Sequence, residues 1–554
     1  MSIDLVMAIH FHQPVGNFDH VIQNICDRCY APFLSVIKQY PDIMMSFHFS
    51  GSLLEWLERN RPEIIETVRD LVKRGQVEII SGGFYEPILP AIPRRDAVKQ
   101  ITMLNEYIKE KFFTEASGAW VAERVWEPAM PSILHEAGIK YVILDDTHLL
   151  YSGIKKENIY GYYITEDNGR HVAVFPSDKT LRYSIPFRQP GECMDYMRGV
   201  AAVCEAPTFI YADDGEKFGA WPGTNQWVYG EGWLRKFFDE LMTCRDWLKT
   251  MKVSECLLKK KPLGKVYLPA CSYEEMMEWS LPADVEQEYE NVVEEIRSEG
   301  KEERYKPYIR GGFWRNFLTK YPESGYMSKK MLYVSNRLDS LAKKGKAKDA
   351  PKEAARHLYR GQCNCAYWHG VFGGLYLFHL RRAIYSHLIK SETLMDRIVY
   401  GKKEFITVDV MDITTDGSKE AVLQNRELAL HLDPADGGVL KEIDVKKICH
   451  NLSNILTRRK EAYHRRIQKK INNGKAASLA DCKSVHDAIE VPDAGIKDHL
   501  IYDTYDRHSL IDHFFGEKVG LDMFMHAAYR ETGDFIGAEY DLEVKKQVNI
   551  CVCL

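Results

Sequence analysis

From residue 3 to about residue 270, short apolar runs alternate with segments in which apolar residues recur every three or four positions. Short apolar runs are typical of buried strands, and the longer period is typical of amphipathic helices. The helical segments Ser52 to Arg74 and Arg94 to Lys111 are long enough to bring successive strands parallel. The pattern therefore predicts a barrel or an open α/β sheet. The predicted strands are Ile3 to Ile9, Ile43 to Phe49, Val77 to Ile80, Ala119 to Ala122, Tyr141 to Asp145, Thr208 to Asp213 and Val266 to Ala270.

The pattern changes twice after this region. Between about 285 and 400 it is helical, for example in Ser328 to Lys344 and Pro351 to Arg360. From about 402 onward, alternating stretches such as EFITVDVMD and ELALHLD indicate an antiparallel sandwich, into which the basic stretch Thr457 to Asn473 is inserted as a solvated helix or loop. We predict a multidomain α/β protein: a barrel at 1–284, a helical domain at 285–400 and a β-sandwich at 401–554.

Composition narrows the class of protein. The 554 residues are 45% hydrophobic, enough for two or three cores, and 74 basic against 79 acidic residues give a net charge of -5. A weak, dispersed charge does not recruit nucleic acid or an anionic membrane, so a neutral substrate is favoured. The start of the chain has no basic leader, no stretch is apolar enough to span a bilayer, and thirteen cysteines fit reduced thiols. These features predict a cytoplasmic protein.

Two cysteine pairs have the spacing of a metal or redox site. Cys26 and Cys29 form a CxxC, and Cys363 and Cys365 form a CxC. The first pair lies in an amphipathic helical pattern, and no second CxxC follows at finger spacing. Buried thiols are therefore the favoured interpretation.

Polar residues follow several predicted strands, where catalytic groups of α/β folds lie. His10 and His12 come just after the first strand and are two positions apart, so both can face one pocket. Glu78 lies inside an apolar strand and needs a hydrogen-bonding partner, and Glu86 follows the glycines of the same segment. Taken alone, the two histidines are also compatible with hydrogen-bonded core residues.

Two carboxylates emerge from strand ends beside tryptophans. Glu123 follows a strand between Trp120 and Trp126, whose indole faces suit sugar rings, and the adjacent Arg124 is expected to keep Glu123 ionised. Asp214 ends another strand, among further carboxylates that favour retention of a proton, as a general acid requires. One ionised and one protonated carboxyl are the minimal machinery of glycoside cleavage. Singly, each acid is more often a loop cap or an ion-pair member.

The aromatic candidates have a simpler interpretation as well. Taken one at a time, tryptophans are more often core residues than sugar platforms, and the same holds for a Tyr-Trp-His run in a helical domain. The residues in question are Trp120, Trp126, Trp221, Tyr367, Trp368 and His369.

The motifs HFHQP, GQVEIISGGFYEP, WVAERVWEP, YADDGEKFGAWPGT and YWHGVFGG, in this order, resemble the five signature regions of glycoside hydrolase family 57. The stretches YEEMMEWSLP, GGFWRNFLTKYPE and YDTYDRHSLIDHFF resemble its subgroup of 4-α-glucanotransferases and enzymes called α-amylases. The resemblance implies an incomplete (β/α)7 barrel, a helical domain closing the cleft and a β-sandwich, which is expected to be shorter here than in that subgroup. It also implies retention of configuration, with no metal in the chemical step and no cofactor.

The resemblance implies roles for particular residues. Glu123 matches the nucleophile and Asp214 the general acid/base. Residues predicted to bind or support the substrate are His12 and Glu78, the subsite aromatics Trp120, Trp221 and Trp368, and, from the same motifs, His10 and His369.

The predicted function is that of a retaining 4-α-glucanotransferase acting on maltooligosaccharides or another α-glucan, with a homodimer as the assembly considered. A hydrolytic α-amylase is the alternative within the family. A metal-dependent deacetylase or mannosidase could use His10, His12 and Asp213, but the expected aspartate pattern beside the histidine is missing. A non-catalytic glucan-binding protein would need the tryptophans but neither carboxylate.

Overall fold

The apolar runs of the first 270 residues form a ten-stranded sheet in the computed structural model, which describes residues 2–343, 350–465, 467, 499–516, 518–547 and 550–553. The order is β10-β6-β7-β5-β4-β3-β2-β1-β8, with β9 also paired to β1. All pairs are parallel except the β6–β7 hairpin. The strands are β1 (Ile3–Phe11), β2 (Met45–Phe49), β3 (Val77–Gly82), β4 (Gly118–Trp120), β5 (Tyr141–Asp145), β6 (Tyr163–Asp167), β7 (Arg170–Ser177), β8 (Thr208–Asp214), β9 (Leu248–Met251) and β10 (Gly264–Lys265).

The seven parallel strands from β7 to β8 form the predicted incomplete (β/α)7 barrel. β7 and β8 are the first and last of these seven strands, and a hydrogen bond joins them: the backbone N–H of Asp178, directly after β7, donates to Ile210 O of β8 at 2.7 Å. Beside this bond, the Ser177 hydroxyl accepts from Ala212 N and donates to Ala212 O, both at 3.1 Å. A side chain thus bridges the edge where a full ladder would close the barrel.

Apolar side chains from alternate strand positions fill the barrel, among them Ala8 of β1 and Ala212 of β8. Side chains two positions apart in a strand lie on the same face of the sheet. His10 and Asp214, two positions after these alanines, therefore point to the same side as the alanines. The register also pairs His10 with both His48 and Asp214. The barrel therefore brings these polar groups together directly above its apolar layer.

Two predicted elements of this region differ in the structure. The helix predicted over Ser52 to Arg74 is two helices, because Pro62 disfavours helical backbone at the preceding Arg61. Val266 to Ala270 is not a strand, because the pairing strand β10 ends at Lys265. The barrel strand is supplied instead by β7, which was not predicted. The helices are Asp19–Ile25, Ala31–Ile37, Gly51–Asn60, Pro62–Lys73, Arg94–Phe112, Met130–Glu136, Asp146–Leu150, Lys179–Ser184, Pro190–Ala201, Trp233–Thr243, Val253–Lys259 and Glu274–Trp279.

The middle of the chain is helical, as predicted. Its helices are Ala283–Ser298, Glu302–Tyr305, Phe317–Lys320, Pro322–Lys343, Ala350–Arg360 and Phe378–Tyr400. The predicted helix end Lys344 lies outside the described residues.

The predicted antiparallel β domain follows. Its five-stranded sheet comprises β11 (Ile406–Met411), β12 (Glu420–Asn425), β13 (Leu428–Asp433), β14 (Val439–Val445) and β15 (His450–Asn451), and a two-stranded sheet comprises β16 (Val544–Gln547) and β17 (Ile550–Cys553).

The stretch predicted as a solvated insert, Thr457 to Asn473, is described only in part. Thr457 and Glu461 are buried, and Glu461 accepts hydrogen bonds from the Tyr321 and Tyr376 hydroxyls at 2.9 and 2.6 Å. The beginning of this stretch is therefore packed rather than solvated. Residue 466 and those from 468 to 473 lie outside the described residues.

The chain divides into two units. The first comprises Met1–Ser280, Glu295–Arg315 and Gln362–Asn364, and the second comprises Leu281–Glu294, Asn316–Gly361 and Cys365–Leu554. The bounds of the three predicted domains stay a prediction. None of the helices in the described ranges combines the length and apolarity needed to cross a bilayer.

A buried ammonium group joins the helices and the sheet of the second unit. Lys330, on Pro322–Lys343, is fully buried and ion-pairs with Glu392 at 3.2 Å, with Asp444 at 2.5 Å and with Glu442. Burial alone would lower the pKa of Lys330, but the three carboxylates hold it well above its usual value. One cation thus connects two helices to β14.

We expect Lys330→Met to destabilise this unit strongly, because it leaves the buried carboxylates without their cation, a loss of about 3–5 kcal/mol. The matched control is Lys343→Met, since Lys343 is exposed and pairs with Asp339; its cost should be about 0–1 kcal/mol. Calorimetric unfolding of the whole protein measures both. Equal shifts in the two variants would contradict the role assigned to Lys330.

Candidate active site

Glu123 lies in a strained turn at the carboxyl end of β4. Its φ is 51° and that of Arg124 is 49°, so two consecutive residues with side chains occupy the left-handed region. Each such residue costs about 1–3 kcal/mol and persists only where its surroundings fix it. Here the Ser272 hydroxyl donates to the Glu123 carbonyl oxygen at 2.5 Å, and Arg124 N donates to Val121 O at 2.8 Å. The turn fixes the direction in which the Glu123 carboxylate leaves the strand.

The surroundings of Glu123 favour its protonated form. Burial, and then the charge of Asp214, raise its pKa to about 7, although the Tyr273 hydroxyl donates to Glu123 Oε2 at 2.8 Å and lowers it. The expectation that Arg124 keeps Glu123 ionised is corrected. The Arg124 guanidinium donates to Ala212 O at 2.9 Å and lies 5.2 Å from the Trp120 ring centre. Arg124 therefore lowers the pKa of Glu123 by less than burial and Asp214 raise it.

Asp214 and Asp213 have different surroundings although they are adjacent. Asp214, the last residue of β8, is half-buried on the His10 side of the barrel. Asp213 is buried and ion-pairs with Lys217, and Arg182 Nε lies 3.8 Å away. Burial alone would raise the pKa of Asp213, but these two cations lower it. Asp213 therefore holds the turn in place, and Asp214 lies at the open, carboxyl end of the barrel, called the barrel mouth below.

Glu86 connects the two predicted histidines. Its oxygens lie 3.0 Å from His10 Nε2 and 2.5 Å from His12 Nδ1. Burial alone would lower the pKa of both imidazoles, but Glu86 outweighs it and raises the pKa of His10 and, to about 9, that of His12. His10 Nδ1 lies 2.7 Å from His48 Nδ1, and burial together with the charge on His10 holds the pKa of His48 well below its usual value. His10 is therefore the donor and His48 the acceptor.

A further carboxylate, Glu216, lies beside this cluster. It accepts from the His12 backbone N–H at 3.1 Å and from the Tyr30 hydroxyl. Burial and then the charge of Asp214 raise the pKa of Glu216. Asp214 thus acts on both Glu123 and Glu216, which places the three carboxylates in one electrostatic neighbourhood.

The structure brings His10, His12, Glu123 and Asp214 together, and Trp120 with them, because its ring stacks on His10 at 4.5 Å. Trp221 is buried near the Asp213 anchor, with the Lys217 ammonium 5.3 Å from its ring.

Glu78 is not brought into this group. Its carboxylate accepts from the Ser46 hydroxyl at 2.6 Å and from Ser254 N at 3.1 Å, and it bonds the Tyr141 hydroxyl. It precedes Ile80, a member of the apolar layer, by two positions and so lies beneath that layer. These contacts support a structural role in the barrel rather than contact with a substrate.

Trp368 and His369 belong to the second unit. Trp368 is buried, with its ring 6.0 Å from that of Phe317. His369 Nδ1 lies 2.9 Å from Gly373 O, and the His369 ring meets the Tyr376 ring edge-on at 4.7 Å. Their assignment to substrate binding stays a prediction.

Three further residues lie in the site although no role is predicted for them from the sequence: Glu86, Glu216 and Tyr273. For the first two a signal was available: Glu86 follows the glycines after β3, and Glu216 comes two residues after Asp214. Tyr273 comes after the predicted strand Val266 to Ala270, which does not form, so the strand-end rule does not apply to it.

The ligand atoms of His10, His12 and Glu86 lie within 4.8 Å of one another, which is a possible donor set for a metal ion. In this structure Glu86 forms ion pairs with both imidazoles instead. The set of His10, His12 and Asp213 considered for a metal hydrolase is not assembled, because Asp213 is paired with Lys217.

Three sequence profiles match the chain: "Glycosyl hydrolase family 57" over residues 6–269, and the "Alpha-amylase/4-alpha-glucanotransferase" middle and C-terminal domains over residues 312–395 and 412–552. "Alpha-amylase 1" of Dictyoglomus thermophilum is 42% identical over 99% of this chain and 78% of its own length. "4-alpha-glucanotransferase" of Thermococcus litoralis is 41% identical over 98% of this chain and 79% of its own. The crystal structure of 4-alpha-glucanotransferase from Thermococcus litoralis has a TM-score of 0.87 at 39% identity, covering 99% of this chain and 79% of that one.

The His12–Glu86 pair predicts a pH-dependent contribution to stability. Because the folded protein raises the pKa of His12 from 6.5 to about 9, its contribution is fully present below pH 6.5 and is lost as the pH rises through 9. The difference in unfolding free energy between wild type and His12→Gln should therefore shrink from pH 6.5 to above pH 9. Urea unfolding at several pH values measures it, with the exposed His171→Gln as control. A difference that does not change with pH would contradict this.

Proposed function

Because this chain belongs to glycosyl hydrolase family 57, we propose that it is a retaining 4-α-glucanotransferase, which moves α-1,4-glucan segments between maltooligosaccharides. The observation that carries the proposal is Glu123, a carboxylate fixed in a strained strand-end turn within the electrostatic field of Asp214. Neutral sugars agree with a net charge of -5 spread along the chain.

In the proposed mechanism, Glu123 attacks the anomeric carbon while Asp214 gives its proton to the departing glycosidic oxygen. The bond from the anomeric carbon to that oxygen breaks, and a glucosyl ester forms on Glu123. Asp214, now ionised, removes the proton of the acceptor hydroxyl, which attacks the same carbon and releases Glu123. Retention by this route needs the two carboxyl groups about 5 to 5.5 Å apart.

The charges around the site suit this sequence of steps. The charge of Asp214 is one cause of the raised pKa of Glu123, so a proton on Asp214 favours the ionised nucleophile. We assign His10 and His12, which pair with Glu86, to the support of the substrate site, and Trp221, Trp368 and His369 to the walls of the sugar subsites.

Hydrolysis by the same site is the second candidate, because relatives of about equal identity carry the names α-amylase and 4-alpha-glucanotransferase. The two activities share every step up to the glucosyl ester and differ in the acceptor. Transfer requires subsites that hold a sugar and exclude water at that moment. A non-catalytic glucan-binding role is disfavoured, since it would give no reason for the strained backbone at Glu123.

We expect purified protein incubated with maltotriose to give glucose together with a ladder of longer maltooligosaccharides, resolved by chromatography. Glu123→Ala and Asp214→Ala should each abolish the ladder, because each removes one of the two groups on which both half-reactions depend. Glu136→Gln is the matched control, since Glu136 is an exposed carboxylate paired with Arg94. Shorter sugars alone would move the assignment to hydrolysis, and binding without turnover would favour the non-catalytic alternative.

The two roles can be separated with α-maltotriosyl fluoride, whose leaving group needs no proton, and azide. In Asp214→Ala the ester still forms, so azide should give the α-glycosyl azide. In Glu123→Ala, azide can take the place of the missing carboxylate, attack the β face of the anomeric carbon directly and give the β-glycosyl azide. NMR of the products distinguishes the anomers, and the reverse pattern would exchange the two roles.

The raised pKa of Glu123 predicts an acid limit on activity. Because the nucleophile must be ionised and the pKa of Glu123 is raised to about 7, kcat/KM should decline as the pH falls through about 7. Initial rates on maltotriose from pH 5 to 8 measure this decline, called the acid limb below. Circular dichroism at each pH checks that the protein stays folded. A constant kcat/KM over this range would contradict an ionised Glu123 as the attacking group.

A further inference from the structure

The side chain of Tyr273 donates a hydrogen bond to the carboxylate of Glu123. Its hydroxyl donates to Oε2 at 2.8 Å, within the range of a charge-assisted bond. Tyr273 follows the barrel strands in sequence and takes no part in the sheet. Its contact with Glu123 is thus a long-range one, 150 residues apart in the chain.

The phenol of Tyr273 is held firmly. Two residues earlier, Cys271 exchanges backbone hydrogen bonds with Trp126, at 2.9 and 3.1 Å, and the intervening Ser272 donates to the Glu123 carbonyl oxygen. These bonds fasten the segment carrying Tyr273 to the turn carrying Glu123. Tyr273 itself is 9% exposed.

Two cations lie over the Tyr273 ring. The guanidinium groups of Arg124 and Arg182 are each 5.7 Å from its centre. Guanidinium groups over an aromatic face are attracted to it and restrict its motion. The hydroxyl is therefore presented to Oε2 by a ring fixed through its backbone and its face.

We propose, building on the retaining mechanism above, that Tyr273 is the positioning residue of the nucleophile: it holds Oε2 and leaves Oε1 to attack the anomeric carbon. In the first step Oε1 forms the new bond to carbon, the glycosidic oxygen leaves with the proton of Asp214, and Oε2 becomes the ester carbonyl oxygen. In the second step the acceptor oxygen bonds to carbon, its proton goes to Asp214, and the electron pair returns to the Glu123 carboxylate. Tyr273 keeps its own proton throughout.

This bond acts on charge as well as direction. A donor to Oε2 stabilises the carboxylate more than the carboxylic acid, and Tyr273 accordingly lowers the pKa of Glu123 against burial and Asp214. Without the donor, Glu123 would take up a proton at a higher pH. A purely structural role for Tyr273 would leave that titration unchanged.

The test is the pH dependence of kcat/KM on α-maltotriosyl fluoride for wild type, Tyr273→Phe and the control Tyr267→Phe. Tyr267 also bonds a carboxylate, Glu166, but on the exposed surface. Tyr273→Phe should lower kcat about 10- to 100-fold, as expected for one hydrogen bond to a charged group, and move the acid limb to higher pH. Tyr267→Phe should do neither.

Replacement of Tyr273 by 2,3-difluorotyrosine, a nearly isosteric and stronger donor, keeps the test decisive if the phenylalanine variant fails to fold. Its acid limb should move to lower pH. An acid limb that stays at the wild-type position in the folded variants overturns the inference, even if kcat falls. Absence of turnover by the wild type would instead refute the proposed function, so the two failures are distinguishable.

Discussion

The balance of charge at the carboxyl end of the barrel is the constraint on which the rest of the site depends. Several carboxylates lie there, among them Glu86, Glu123, Asp213, Asp214 and Glu216, and an unbalanced buried charge is costly. Glu86 is balanced by two imidazolium groups and Asp213 by Lys217, while Glu216 is hydrogen-bonded by Tyr30. Neither Glu123 nor Asp214 takes part in an ion pair among the described residues, and Glu123 accepts a hydrogen bond from Tyr273. In the proposed mechanism these two groups act on the substrate: Glu123 bonds to the anomeric carbon, and Asp214 exchanges the proton.

Much of this site could be predicted from the sequence, because strand ends gather in parallel sheets. His10, Glu123 and Asp214 each follow an apolar run, and the topology brings them together as that rule requires. The rule depends on the position of a residue within its strand. Glu78 points to the same face of the sheet as the residues at the carboxyl ends of the strands. It lies near the start of β3, however, and is therefore below the apolar layer.

Other features depend on contacts that no local pattern encodes. Tyr273 reaches Glu123 across 150 residues of sequence, so neither period nor spacing reveals it. The barrel strand β7 was missed because it arrives through a hairpin with β6 rather than after a helix. The effect of Arg124 on the pKa of Glu123 was overestimated for a related reason. Arg124 is adjacent to Glu123 in sequence, but its guanidinium donates to a distant acceptor, Ala212 O. Local chemistry was predictable, whereas long-range partners required the fold.

The left-handed backbone at residues 123 and 124 sets stability against function. For folding alone, glycine or asparagine would be the better residue at both positions, since they adopt this conformation at little cost. Random substitution under selection for stability would therefore drift away from glutamate here. Its presence at a place where the backbone disfavours it indicates selection for the carboxylate itself. A thermostabilised version of this protein obtained without selection for activity would be expected to lose Glu123 among the first positions to change.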